Sequence, residues 1–191
     1  MNKNATLYIY TMLLMISGII LIAMVQSPYT IFINTFFITI LLSGLFALVA
    51  AYNHRSYQVP LKYHALHAVG LLIYGIAVLT LTEDLNHFFF ITVFYLLYYG
   101  LAELVFGLQM LLQKDKMLFR IIVVRLALGF SVGLVVVGLF ISLDKYVNLT
   151  NSIKIIGALF IVTGINLFIF KEVLKKLYQK DHVLTKEDTV V

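Results

Sequence analysis

Six stretches of this chain are apolar for about twenty residues at a time, and no other feature limits its fold so strongly. They run roughly over residues 7–25, 30–52, 63–82, 87–112, 118–142 and 152–173. A helix of about 20 apolar residues crosses a hydrocarbon core about 30 Å thick, and it pairs every backbone donor and acceptor within itself, which lipid cannot do for it. Membrane-spanning strands would be segments of about ten residues alternating apolar and polar, whereas these runs are twice as long and do not alternate. The sequence predicts an all-α integral membrane protein with six transmembrane helices. Residues 1–175 form one transmembrane domain and residues 176–191 a basic tail, with almost nothing left for a soluble domain.

Composition agrees: 62% of the residues are hydrophobic and 12% are charged, against about a quarter charged in soluble domains. The net charge of +5 sits at the ends of apolar runs, where it sets orientation rather than binding nucleic acid. The absence of cysteine excludes disulfides, thiol nucleophiles and thiolate metal sites. Lys3 precedes the first run as in a signal peptide. That run is longer than a usual signal core, and "IAMVQS" is a poor cleavage site, so a retained first helix is expected.

Charge also predicts orientation. Lys3, the segment with Arg55 and Lys62, the turn with Lys114, Lys116 and Arg120, and the tail with Lys171, Lys175, Lys176, Lys180 and Lys186 all fall on one side of a six-crossing chain. The other side has "QSPYT", the acidic "TEDLN" and a segment with only Lys145 and Lys154. The excess of basic residues places both termini in the cytoplasm. The tail reads as the last helix running on, its lysines reaching toward headgroups.

Small residues recur at a fixed distance. In the even runs Gly44, Gly100 and Gly157 are 56 and 57 residues apart, and Ala51, Gly107 and Gly164 follow each by seven. In the odd runs Gly18, Gly75 and Gly133 are 57 and 58 apart. This predicts three tandem copies of a two-helix hairpin, about residues 7–55, 63–115 and 118–175. Consecutive hairpins keep the same topology, so they would be related by rotation about the membrane normal in a pseudo-threefold bundle. Stripes of small residues let helix backbones approach closely in lipid, and they could equally pack against a second copy or another membrane protein.

With "SPYT" at the first outer turn and even helices that end in basic loops, this glycine pattern resembles the HdeD-like family of bacterial inner-membrane proteins. The second and third outer turns, "TEDLN" and "LDKYVNL", lack the proline. The resemblance implies a small six-helix protein of the bacterial inner (plasma) membrane, linked to acid stress, with no catalytic residues to carry over.

Ionisable residues at depth are rare and are candidates for function. Glu103 lies about ten residues from the end of the fourth run and Arg125 about seven into the fifth. Counting through the "QKDK" turn leaves them offset by three residues, about 4.5 Å at the helical rise, within reach of two long side chains. Tyr99 is one turn from Glu103 and placed to donate to it. His64 and His67 share a face of the third run and titrate between about pH 5 and 8, so they could join a proton-responsive cluster. No HExxH or carboxylate-bracketed pattern makes them a metal site. Aligning the repeats puts amides Asn53, Gln109 and Asn166 at one position, suited to hydrogen bonds between helices, while Glu103 aligns with Ala47 and Phe160 and belongs to one repeat only.

No P-loop, dinucleotide fingerprint, nucleophile elbow or carboxylate cluster is present, so no enzyme activity, catalytic residue or cofactor is expected. Two readings stay open: a non-catalytic membrane protein related to stress, and a small transporter or channel using Glu103, Arg125 and the histidines as a protonatable pathway.

Overall fold

The computed structural model describes residues 3–53, 58–111, 116–142 and 147–187, with side chains over 5–53, 65–108, 123–141 and 147–169. The chain forms six helices: α1 (Lys3–Met24), α2 (Tyr29–Asn53), α3 (Gln58–Leu81), α4 (Leu85–Leu111), α5 (Lys116–Ser142) and α6 (Leu149–Glu187). Five carry apolar spans of 19 to 25 residues, long enough to cross a membrane, and α3 contributes the shorter apolar segment Ala65–Leu81 among the described residues. The protein is an all-α, six-helix, mostly membrane-spanning bundle. Its outer surface is apolar, with Ile73, Phe94, Leu101, Phe130 and Ile141 exposed, as suits helices whose solvent is lipid.

Local chemistry explains where the helices start. Pro28 has no donor to lose ahead of α2, and its carbonyl accepts from the Ile31 and Phe32 amides. Asp84 caps α4 by accepting from the His87 amide at 2.9 Å, and Asn148 caps α6 by accepting from the Asn151 amide at 2.9 Å. Within the spans, hydroxyls bond back to the preceding turn, as Ser17 does to the Leu13 carbonyl and Thr92 to that of Phe88. At the other end of α6, the helix runs on through the basic tail as far as Glu187.

The tightest helix pairs are α2 with α3, α1 with α6, and α4 with α5, while α3 meets α4 less closely and α5 barely touches α6. Those three tight pairs join different predicted hairpins; of the hairpins themselves, the first packs nearly as tightly, α1 against α2, and the third scarcely packs as a unit. Glycine explains the difference. A Cβ on Gly44 would stand 3.0 Å from the Leu72 side chain, one on Gly100 3.1 Å from the Gly129 carbonyl, and one on Gly157 2.7 Å from the Gly18 carbonyl. Gly164 lies on Met15 and Thr11, Gly107 on Leu126, and Gly75 in ordinary contact with Ile40. Gly133 is the exception among the predicted packing glycines: a Cβ there would meet nothing within 4 Å. Gly129, one turn earlier, makes the close approach on α5 instead.

The interior divides into two halves. Toward the α1–α2 and α3–α4 turns, Phe36 lies with ring centroids 5.2 Å from Phe88, 6.0 Å from Phe160, 6.1 Å from Tyr74 and 6.4 Å from Phe32. This aromatic plug fills the bundle axis, and all five rings are buried. Toward the end where α1 begins and α6 leaves, the buried side chains include Thr6, Tyr10, His67, Glu103, Arg125 and Asn166.

A buried carboxylate network between α3, α4 and α5

The site begins at the α4–α5 crossing. Gly100 and Gly129 bring the two backbones together, and a Cβ on Gly129 would also stand 3.0 Å from the Glu103 Cβ. Glu103 is one turn along α4 from Gly100, and Arg125 one turn along α5 from Gly129. The close crossing therefore sets a carboxylate and a guanidinium opposite each other in the bundle interior. Arg125 Nε donates to Glu103 Oε2 at 2.9 Å and Nη2 to Oε1 at 3.1 Å, a bidentate pair. Glu103 is 0% exposed and Arg125 1%.

Neighbouring rings complete the network. The Tyr99 hydroxyl, one turn back on α4, donates to Glu103 Oε1 at 2.6 Å. His67 on α3 holds its Nε2 3.8 Å from the same oxygen, and its ring meets Tyr99 edge-on at 4.9 Å. The Arg125 guanidinium carbon lies 4.8 Å from the Phe106 ring centroid, an arrangement in which a cation is attracted by the ring face. Oε1 thus receives two donors and faces an imidazole, so three helices converge on one oxygen. In a low-dielectric interior an unpaired carboxylate or guanidinium would be strongly destabilising, and mutual pairing with added hydrogen bonds offsets that desolvation.

The other residues singled out from the sequence lie elsewhere. His64 and Gln109 fall outside the residues whose side chains are described, as do the lysines of the tail. Asn53 Nδ2 is 3.4 Å from Thr6 Oγ1, tying the end of α2 to the start of α1. Asn166 is buried on α6, with Nδ2 lacking a hydrogen-bond partner among the described residues. Among those residues no three His, Asp or Glu side chains gather as a metal ion would require. Tyr98 leans away from the network, across Gly70, and donates to the Leu66 carbonyl at 2.9 Å.

Two contributors escape a reading of the sequence. Phe106 is one apolar residue among many, and only its place beside Arg125 marks it. Tyr10 on α1 is fully buried, and the charges of Glu103 and Arg125 both act on its hydroxyl. Nothing in the sequence singles it out, because as the fourth residue of its run it sits where an interfacial belt places tyrosines.

A groove of about 470 Å³ opens to the lipid side between α3 and α4, with Tyr74 and Tyr95 along it. Those two rings stack at 4.2 Å, and the Tyr95 ring centroid lies 5.9 Å from that of Phe160. The groove is lined almost wholly by carbon, in contrast to the network nearby.

Fold and site together define a multi-pass helical membrane protein with a buried His67–Glu103–Arg125 ion-pair network. No family profile, curated protein or solved structure matches the chain.

Proposed function

We propose that this protein is a small proton-coupled transporter or gated channel whose protonatable element is the His67–Glu103–Arg125 network. The observation that carries the reading is a fully buried carboxylate that gathers partners from three helices. An ionisable group within a membrane span is by default a candidate for an ion or proton pathway. A proton on Glu103 would neutralise the partner that holds Arg125 and loosen the clamp between α4 and α5. At 3.8 Å His67 is just beyond hydrogen-bond range of Oε1, so a small shift lets imidazole and carboxylate exchange a proton. The thinly packed seams, α5 against α6 and α3 against α4, are where helices can move, and the aromatic plug is the closed gate.

The test is reconstitution into vesicles loaded with a pH-sensitive dye. Under an imposed gradient the wild type should move protons and Glu103→Gln should not, with both proteins eluting and melting alike. A wild type that moves no protons would sink the reading for protons.

The bidentate geometry of the pair favours a second reading, a non-catalytic membrane protein in which Glu103 and Arg125 only lock two helices. Glu103→Gln would then leave its biological role intact. The HdeD-like resemblance would set either reading in acid stress at a bacterial inner membrane, which survival of a deletion strain after acid challenge would test.

The finer architecture is three tandem hairpins in a pseudo-threefold bundle. Its support is the glycine register: Gly44 packs on α3, Gly100 on α5 and Gly157 on α1, each even helix meeting the following odd one, with the last closing on the first. The charge bias puts both termini in the cytoplasm. A reporter active only outside the cytoplasm, fused to the C-terminus, should stay silent.

A further inference from the structure

Tyr10 and Asn166 are two buried polar groups for which the network does not account. The Tyr10 hydroxyl and Asn166 Nδ2 each lack a hydrogen-bond partner among the described residues, yet buried polar atoms are nearly always satisfied by protein or ordered water. Both lie at the level of the Glu103–Arg125 pair. Arg125 is 17 residues back from the end of α5 at Ser142, and Asn166 is 17 on from the start of α6 at Leu149, so the two come level across the α5–α6 seam. On its other side Asn166 falls between Gly164, packed on Thr11, and Phe168, whose ring lies 5.5 Å from Tyr8, which is the level of Tyr10. Ser43 Oγ donates to the Tyr10 carbonyl at 3.3 Å, holding this part of α1 against α2.

The buried polar and charged groups of this half of the bundle come from several helices. His67 is buried on α3, Tyr95, Tyr99 and Glu103 on α4, and Arg125 on α5, while among the described residues α2 and α6 bring only uncharged side chains such as Ser43, Thr163 and Asn166. Tyr10 interacts electrostatically with Tyr95 and Tyr99 as well as with the ion pair. A water molecule is held stably where two to four polar groups converge. A phenol hydroxyl can donate and accept at once, and the Asn166 amide offers a donor at the same level.

We infer that Tyr10 and Asn166 bind ordered water that connects them to the Glu103 carboxylate, and that Tyr10 relays protons between Glu103 and the end of the bundle where α1 begins. The relay is balanced. The Tyr10 oxygen accepts a proton from water on one side while its own proton passes to water on the other, so one O–H bond forms as one breaks and the phenol never ionises. Thr6, one turn nearer the start of α1 and joined to Asn53, continues the polar face in that direction. The relay role rests on the proton-coupled reading of the site, whereas the water site does not.

Two measurements separate them. Radiolytic hydroxyl labelling, read by mass spectrometry on the full chain in nanodiscs, oxidises buried side chains that touch bound water. Tyr10 should label severalfold faster than Tyr74, which is as well buried but bonded to Thr92 at 2.8 Å. Equal, slow labelling of both would overturn the water site, whatever the transport result. In the vesicle assay Tyr10→Phe, which keeps the ring, should slow proton movement severalfold without lowering the melting temperature. Wild-type rates in Tyr10→Phe would overturn the relay. A wild type that moves no protons while Tyr10 labels fast would overturn the relay with the transport reading and support the water site.

Discussion

Gly100 and Gly129 face each other across the α4–α5 crossing, each so close that a Cβ on it would stand 3.1 Å or 3.0 Å from the other's carbonyl oxygen. The Glu103–Arg125 pair lies one turn away on the same two helices, so its bidentate geometry depends on this approach.

Gly129→Leu should therefore push α4 and α5 apart and disturb the ion pair, lowering stability by about 1 to 3 kcal/mol, the usual effect of overpacking. Gly133→Ala, one turn further along, enters open space and should stay within about 0.5 kcal/mol of wild type. Thermal unfolding in detergent compares the two. Equal losses would mean that the crossing is not where α5 is held.

Removing one member of the pair leaves a buried charge without its partner. Glu103→Ala and Arg125→Ala should each destabilise by about 3 to 5 kcal/mol, and the double variant by clearly less than their sum, because an orphaned charge is worse than an absent pair. A full double-mutant cycle in detergent measures the coupling. Strict additivity would show that the two side chains do not sense one another.

His67→Phe keeps a ring against Tyr99 and removes the imidazole facing Glu103 Oε1. Stability should change little, while proton movement in vesicles should slow and lose part of its dependence on pH. Unchanged pH dependence would remove His67 from the pathway and leave it a packing residue.

Phe36 touches four other rings at the centre of the plug. Phe36→Ala should lower stability by about 3 to 5 kcal/mol and raise passive proton leak through reconstituted vesicles. Wild-type leak from a folded Phe36→Ala protein would show that the plug is not the barrier.

The candidate site was legible where it depended on counting along neighbouring helices. Stepping through one short turn brings Glu103 level with Arg125, and one helical turn brings Tyr99 beneath the carboxylate. Tyr10 could not be found this way, because it reaches the network from α1, which is not a chain neighbour of α4 or α5. Gly133 shows a second limit. Repeat spacing picks out Gly133, but the rotation of α5 about its axis decides which glycine meets α4, and it presents Gly129.

The sequence alone determined the medium and the six helices, because apolar length is a property of a segment by itself. Tertiary structure decided how the helices are rotated, which pairs pack closely and which polar groups share one interior layer. These depend on surfaces meeting across the bundle: Phe106 beneath the Arg125 guanidinium, His67 beside the Glu103 carboxylate, and Tyr10 of α1 buried within the field of both charges.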